Sequence, residues 1–112
     1  MKKTIYIAGK VTGVPVDERT EKFQAAETML QKRGWKTINP IKLVTDPSTS
    51  WHEAMDICFL ALAKADAIYM LPCSVDSKGA QLELEFALQK NKDVYYELEN
   101  VEDDGTTDNL SS

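Results

Sequence analysis

Residues 67–88, Ala67-Ile68-Tyr69-Met70-Leu71-Pro72-Cys73-Ser74-Val75-Asp76-Ser77-Lys78-Gly79-Ala80-Gln81-Leu82-Glu83-Leu84-Glu85-Phe86-Ala87-Leu88, hold a strand, a connection and a helix in direct succession. The unbroken apolar run 67–71 stopped by Pro72 is the pattern of a parallel strand covered on both faces. Cys73 to Asp76 is a loop. Ser77-x-Gly79 then leads into a helix, which places backbone N–H groups and a positive dipole end where a loop can hold an anion. With Ala80 at zero and roughly 100° per residue, Ala87, Ala80, Leu84 and Leu88 fill one apolar sector and Leu82 and Phe86 a second. Gln81, Glu85 and Gln89 form the polar sector, so Glu85 is a solvated residue. Glu83 falls between the two apolar sectors. A carboxylate so placed is costly unless paired or used, and such groups are enriched at active sites, although some serve only as structural partners.

Outward from this stretch the same β/α alternation repeats. Thr4-Ile5-Tyr6-Ile7-Ala8 is a buried first strand closed by Gly9. The loop Gly9 to Pro15 carries two glycines, a hydroxyl and a cation. It suits either a phosphate- or ribose-touching loop or a plain βα turn, and it has neither G-x-G-x-x-G nor a Walker pattern. Asp17 to Arg33 reads as a helix stopped by Gly34, acidic early and basic late, with Phe23, Ala25, Ala26, Met29 and Leu30 facing the core. Trp35 to Asn39 is a second strand, Asn39-Pro40 a turn, and 41–50 a polar loop. Ser50-Trp51-His52-Glu53 has the form of a capping box, so a helix starts at Trp51. That helix is apolar on nearly every side to Ala63, which predicts a homo-oligomer contact through residues 51–63. His52 sits in its first turn and fits a structural role there. Asp93 to Glu97 is a last strand.

A chain of 112 residues with 43% hydrophobic and 28% charged residues makes one domain with a single core. We expect the domain over residues 1–98 and a disordered acidic tail over 99–112. The net charge of −5 argues against a nucleic-acid partner. No apolar run reaches the length of a membrane span, so no membrane partner is expected. Cys58 and Cys73, the two cysteines, have no ligand-spaced neighbours. They read as reduced thiols of a cytoplasmic protein, with neither metal nor cofactor expected.

The element order β-α-β-α-β-α-β with right-handed crossovers predicts a flavodoxin-like three-layer α/β domain with a four-stranded parallel sheet in the order 2-1-3-4. In that order the sheet switches between the first and third strands. The crevice at their carboxyl ends is then lined by Gly9 and Lys10 on one side and Cys73 to Gly79 on the other. Glu83, one turn inside the helix, can face it.

Lys3-Thr4-Ile5-Tyr6-Ile7-Ala8-Gly9, Asp66-Ala67-Ile68 and Ser77-x-Gly79-x-x-x-Glu83-Leu84-x-Phe86-Ala87-Leu88 together resemble the nucleoside 2-deoxyribosyltransferases. They also resemble the related 2'-deoxynucleoside 5'-phosphate N-hydrolases, and most of all a group of small bacterial and phage domains of that superfamily. The resemblance covers residues 3–97. It implies cleavage of an N-glycosidic bond through a Glu nucleophile and a glycosyl–enzyme ester, the logic of a retaining glycosidase. By position it implies Glu83 as nucleophile, Tyr6 as the hydroxyl that orients it, Ser77 as a contact for a substrate phosphate, and Gly9, Lys10 and Gly79 as pocket lining. The transferases carry an Asp that helps to protonate the leaving base, and this chain has Cys58 at that position. Asp56 is the nearest carboxylate in sequence and serves only if the helix is rotated, since two helical residues lie about 200° apart.

Two functional expectations follow. One is an enzyme that hydrolyses, or less readily transfers at, the N-glycosidic bond of a nucleoside or nucleotide. The other is a catalytically inactive module of the same fold that binds or senses a nucleotide.

Overall fold

In the computed structural model the described residues are 2–96. The expected tail, 99–112, and Glu97, the expected end of the fourth strand, lie outside them. Four parallel strands, β1 (Thr4–Ala8), β2 (Lys36–Ile38), β3 (Ala67–Met70) and β4 (Asp93–Tyr95), form one sheet in the order β2-β1-β3-β4. Thr4 pairs with Lys36, Ile5 with Ala67, and Ala67 with Asp93. This is the expected three-layer, flavodoxin-like arrangement.

Strand parity divides the core. Ile5 and Ile7 of β1 and Ala67 and Tyr69 of β3 turn to the face covered by α1 (Val16–Lys32), where they meet Phe23, Ala26 and Leu30. Tyr6, Ala8, Ile68 and Met70 turn to the opposite face, against Cys58 and Leu62 of α3 (Trp51–Ala63) and Ala80 and Ala87 of α4 (Lys78–Gln89). Because side chains alternate along a strand, Tyr6 is committed to the α3/α4 side by the burial of Ile5 and Ile7 on the other.

The local signals act as expected. Ser50 Oγ accepts from Glu53 N–H while the Glu53 carboxylate accepts from Ser50 N–H, a complete capping box. Gly34 takes φ +92° just beyond α1, a left-handed conformation that glycine adopts without strain.

Three local expectations are corrected. The segment after β2 is not a plain turn and loop. Asn39 caps a short helix, α2 (Pro40–Leu43), by accepting from Ile41 N–H at 3.0 Å, with Pro40 at its first position. Residues 72–76 form a 3-10 turn rather than an open loop. On α1 the residues Ala25 and Met29 are exposed, and the buried face includes Glu27 instead. Thr37 Oγ1 donates to Glu27 Oε2 at 2.7 Å, and Asn39 Nδ2 and the Lys42 ammonium reach Oε1 at 3.3 and 2.7 Å. The partners that let this carboxylate be buried come from β2 and α2, outside any helical periodicity.

Candidate active site

The carboxyl ends of β1 and β3 open into a cavity of about 950 Å³, in the upper part of the range of roughly 300–1,000 Å³ usual for small-molecule sites. It lies at the switch point of the sheet, where open parallel sheets bind ligands. Its walls are the Gly9–Thr12 loop, the start of α1, α2 and the loop that follows it, the first two turns of α3, and Asp76–Ala80 with Glu83.

Tyr6 and Glu83 meet at its floor. Tyr6 is fully buried and Glu83 is 5% exposed. The Tyr6 hydroxyl donates to Glu83 Oε2 at 2.6 Å, a length typical of a charge-assisted O–H···O⁻ bond. Among the described residues no cation pairs with Glu83 and no donor bonds its other oxygen. Burial pushes the Glu83 carboxyl up to about 7, against the opposing effect of the Tyr6 hydrogen bond. Burial, the nearby Glu83 charge and Cys58 push the Tyr6 hydroxyl well above its ordinary range, so it remains a donor. Cys58 on α3 lies beside the same hydroxyl. Its thiol is pushed up to about 11, chiefly by burial, and is neutral at physiological pH.

The buried stripe of α4 is Ala80, Glu83 and Ala87, so Glu83 lies within the packed face of the helix. Glu85 is exposed, as its wheel position indicates. At the start of α4, Ser77 Oγ accepts from Ala80 N–H at 3.1 Å. The hydroxyl proton is left available to a ligand.

Gly9, Lys10, Ser77 and Gly79 all line the cavity with Tyr6 and Glu83. At Gly9 an added Cβ would stand 2.7 Å from Leu71 Cδ1 and 3.0 Å from Phe23 Cζ. A side chain there would require Leu71 and Phe23 to shift. An added Cβ at Gly79 would stand 3.1 Å from Met55 Sδ. Lys10 N–H donates to Cys73 Sγ at 3.3 Å, joining the β1 loop to the turn after β3.

Asp56 is not brought to the site. It is exposed and does not line the cavity, because Cys58, two residues on, is the one that α3 turns inward. Conversely, Trp51, Met55 and the loop residues Thr45 to Pro47 line the cavity without having been singled out in the sequence. The helical spacing of Trp51, Met55 and Cys58 was the available signal, since it places them on one side of α3. The folding of a polar loop over the crevice has no comparable sequence signature.

Among the described residues no group of three or more His, Cys, Asp or Glu side chains converges as metal ligands would. No helix among them is long and apolar enough to cross a membrane.

Residues 3–96 match the family described as Domain of unknown function (DUF4406). No curated protein matches the chain. Among solved structures the chain is similar to the Clostridium botulinum CMP N-glycosidase BcmB, with a TM-score of 0.58 and 15% sequence identity. The likeness covers 82% of this chain and 66% of that one, so the chain spans just under two thirds of the enzyme's length. At this identity the likeness is one of fold.

Proposed function

The chain belongs to the DUF4406 family, and from that premise we propose that it hydrolyses the N-glycosidic bond of a nucleoside or nucleotide. The observation that carries this reading is Glu83, a buried carboxylate with one hydrogen bond and no cation among the described residues and an open cavity before it. A structural carboxylate of this chain looks different: Glu27 is held by Thr37, Asn39 and Lys42. Membership of the nucleoside 2-deoxyribosyltransferase-like superfamily, and within it of the small bacterial and phage group, is part of the same proposal. The residues quoted above and a fold like that of the Clostridium botulinum CMP N-glycosidase support it.

In this mechanism Tyr6 holds Glu83 by Oε2 and leaves Oε1 to attack C1' of the sugar. The C1'–N bond breaks, the base departs with the bonding pair and takes a proton from solvent, and a sugar–Glu83 ester forms. Water then cleaves the ester, releasing the sugar and regenerating the carboxylate. A carboxyl poised near 7 is partly ionised at neutral pH and thus able to act. Ser77 and Lys78 line the cavity at the start of α4 and Lys10 lines it from the loop after β1, so a 5'-phosphate would find donors and positive charge. Hydrolysis is favoured over transfer to a second base because Asp56 lies outside the cavity and Cys58 is a neutral thiol.

The test is release of free base from a panel of nucleosides and nucleotides by the wild type and by Glu83→Ala. Equal rates would reject Glu83 as nucleophile. The neutral Cys58 thiol, standing where the family resemblance places an acid, favours a second reading: a module that binds a nucleotide without turnover. Tight binding of intact nucleotide with no product would support that reading, and base release would exclude it. We also infer that the domain occupies residues 1–98 and that copies associate through α3.

A further inference from the structure

We propose that Trp51 is the platform on which the planar base of the substrate stacks, which makes the ligand an N-glycoside with a heteroaromatic leaving group. This rests on the reading of the cavity as a glycosidase site and adds the part that recognises the base. Trp51 is the first residue of α3, lines the same cavity as Tyr6 and Glu83, and is 37% exposed. Tyr6, the other aromatic residue of the lining among the described residues, is fully buried, so its ring offers no free face. The indole is already held in place. Lys78 Nζ lies over the ring, 5.5 Å from its centroid, on a face that a stacking base would take over from the ammonium, and the His52 ring stands at 86° to it with the centroids 5.2 Å apart. A stacking ligand therefore does not have to order it.

The surroundings are apolar in the way a flat ring requires. Ala54 and Met55, one turn along α3, line the cavity beside Trp51, as do Ile41, Val44 and Pro47 from α2 and the following loop. The absent side chain of Gly79 keeps the space between the Met55 sulfur and the Trp51 indole nitrogen open. A Cβ there would be 3.1 Å from the first and 3.8 Å from the second. Thr45 and Thr49 line the same wall, so hydroxyls are at hand for the polar edge of a base. Stacking on an aromatic face tolerates any base, because every base has a π-face, and such edge contacts then provide discrimination.

The chain contains two tryptophans, and Trp35 is 2% exposed within the α1 side of the core. Trp51 therefore reports ligand by fluorescence. Glu83→Gln protein is titrated with free adenine, free cytosine and ribose 5-phosphate, and the titration is repeated with Trp51→Phe added. We expect saturable quenching by at least one free base, none by ribose 5-phosphate, and loss of the signal with Trp51→Phe. In active protein Trp51→Ala raises KM at least tenfold with a smaller change in kcat, its fold checked by circular dichroism.

Absence of quenching by both bases, in a protein that binds or cleaves an intact nucleotide, overturns the proposal. Quenching by ribose 5-phosphate alone also overturns it. So does a Trp51 signal that follows protein concentration rather than ligand, which would place the ring between copies of the chain. Quenching by a base in a protein whose wild type releases none upholds Trp51 as the platform while rejecting the catalytic reading.

Discussion

The Tyr6 hydroxyl, 77 residues from Glu83 in sequence, donates to its Oε2 at 2.6 Å and is its one hydrogen-bond partner among the described residues. The pair forms because β1 turns Tyr6 toward the face that α4 covers with Ala80, Glu83 and Ala87. Burial raises the Glu83 carboxyl and this bond restrains the rise. The ionised form of Glu83 thus depends on one proton donor.

Tyr6→Phe removes that donor and leaves the ring packing in place. A hydrogen bond to a charged group is worth about 1.5–3 kcal/mol, or roughly ten- to a hundredfold in an equilibrium. Glu83 then ionises at higher pH. In the wild type, kcat/KM for base release is expected to rise with pH through about 7 and level off above it, since the nucleophile must be ionised. In Tyr6→Phe the rise shifts to higher pH and the rate at neutral pH falls by roughly ten- to a hundredfold. An unshifted profile in the variant would remove Tyr6 from the mechanism.

Glu83→Gln bears on stability, with a definite sign. The folded carboxyl titrates near 7 against an ordinary value of 4.5. Between these values the native state binds more protons than the unfolded chain, so stability falls as pH rises from about 4.5 to about 7. Glutamine removes this dependence and can still accept from Tyr6. At pH 8 the variant should be more stable than the wild type by up to about 3 kcal/mol, the difference shrinking toward pH 5. Denaturant titrations across that range would measure it. A variant less stable at pH 8 than the wild type would mean that Glu83 is held by its surroundings as a structural group.

Glu27→Gln should have the opposite effect. Burial alone would raise the Glu27 carboxyl, but bonds from Lys42, Thr37 and Asn39 outweigh it and hold it below 4.5. A depressed folded value contributes stability above the ordinary value, lost as pH falls through the folded one. The variant should lose about 1–3 kcal/mol at pH 7, with little difference from the wild type in strong acid. Base release should be unaffected, because Glu27 does not line the cavity. Thermal unfolding at neutral and acid pH separates the two carboxylates by the sign of their effect.

These two residues show what a sequence of this kind makes legible. Glu83 stands out because its apolar neighbours at helical spacing leave a carboxylate no solvated sector, a local fact. Glu27 does not stand out, because the groups that bury it, Thr37, Asn39 and Lys42, belong to other elements. The strand order follows from the β/α alternation and crossover handedness, and the start of α3 from its capping box. The short helix α2 was readable in part, since Asn39-Pro40 is a cap followed by a favoured first residue as well as a turn signal. Asp56 stays exposed, as its offset of about 200° from Cys58 on an unrotated helix requires. The cavity wall made by the polar loop before α3 depends on tertiary packing and leaves no periodic trace.

Association of copies through α3 provides the last prediction. Within one copy the helix buries Met55, and it packs Cys58 and Leu62 against the sheet and α4. Its remaining apolar residues stay outside, with Leu60 69% and Ile57 39% exposed. These two lie three residues apart, one turn along the same outward side. Nearby, the Phe59 and Phe86 rings pack at 5.4 Å and extend apolar surface from α3 to α4. Burying a large apolar side chain yields about 1.5–3 kcal/mol relative to exposure, so a symmetric contact that covers Leu60 in both copies gains twice that. Leu60→Glu should leave the fold unchanged, since the residue touches no core cluster, while like charges facing each other across the contact separate the copies. Sedimentation velocity over a wide concentration range is expected to give an oligomer for the wild type and a monomer for Leu60→Glu. A wild-type monomer at the highest concentration would rule out this interface, and an oligomer that survives Leu60→Glu would place the contact elsewhere.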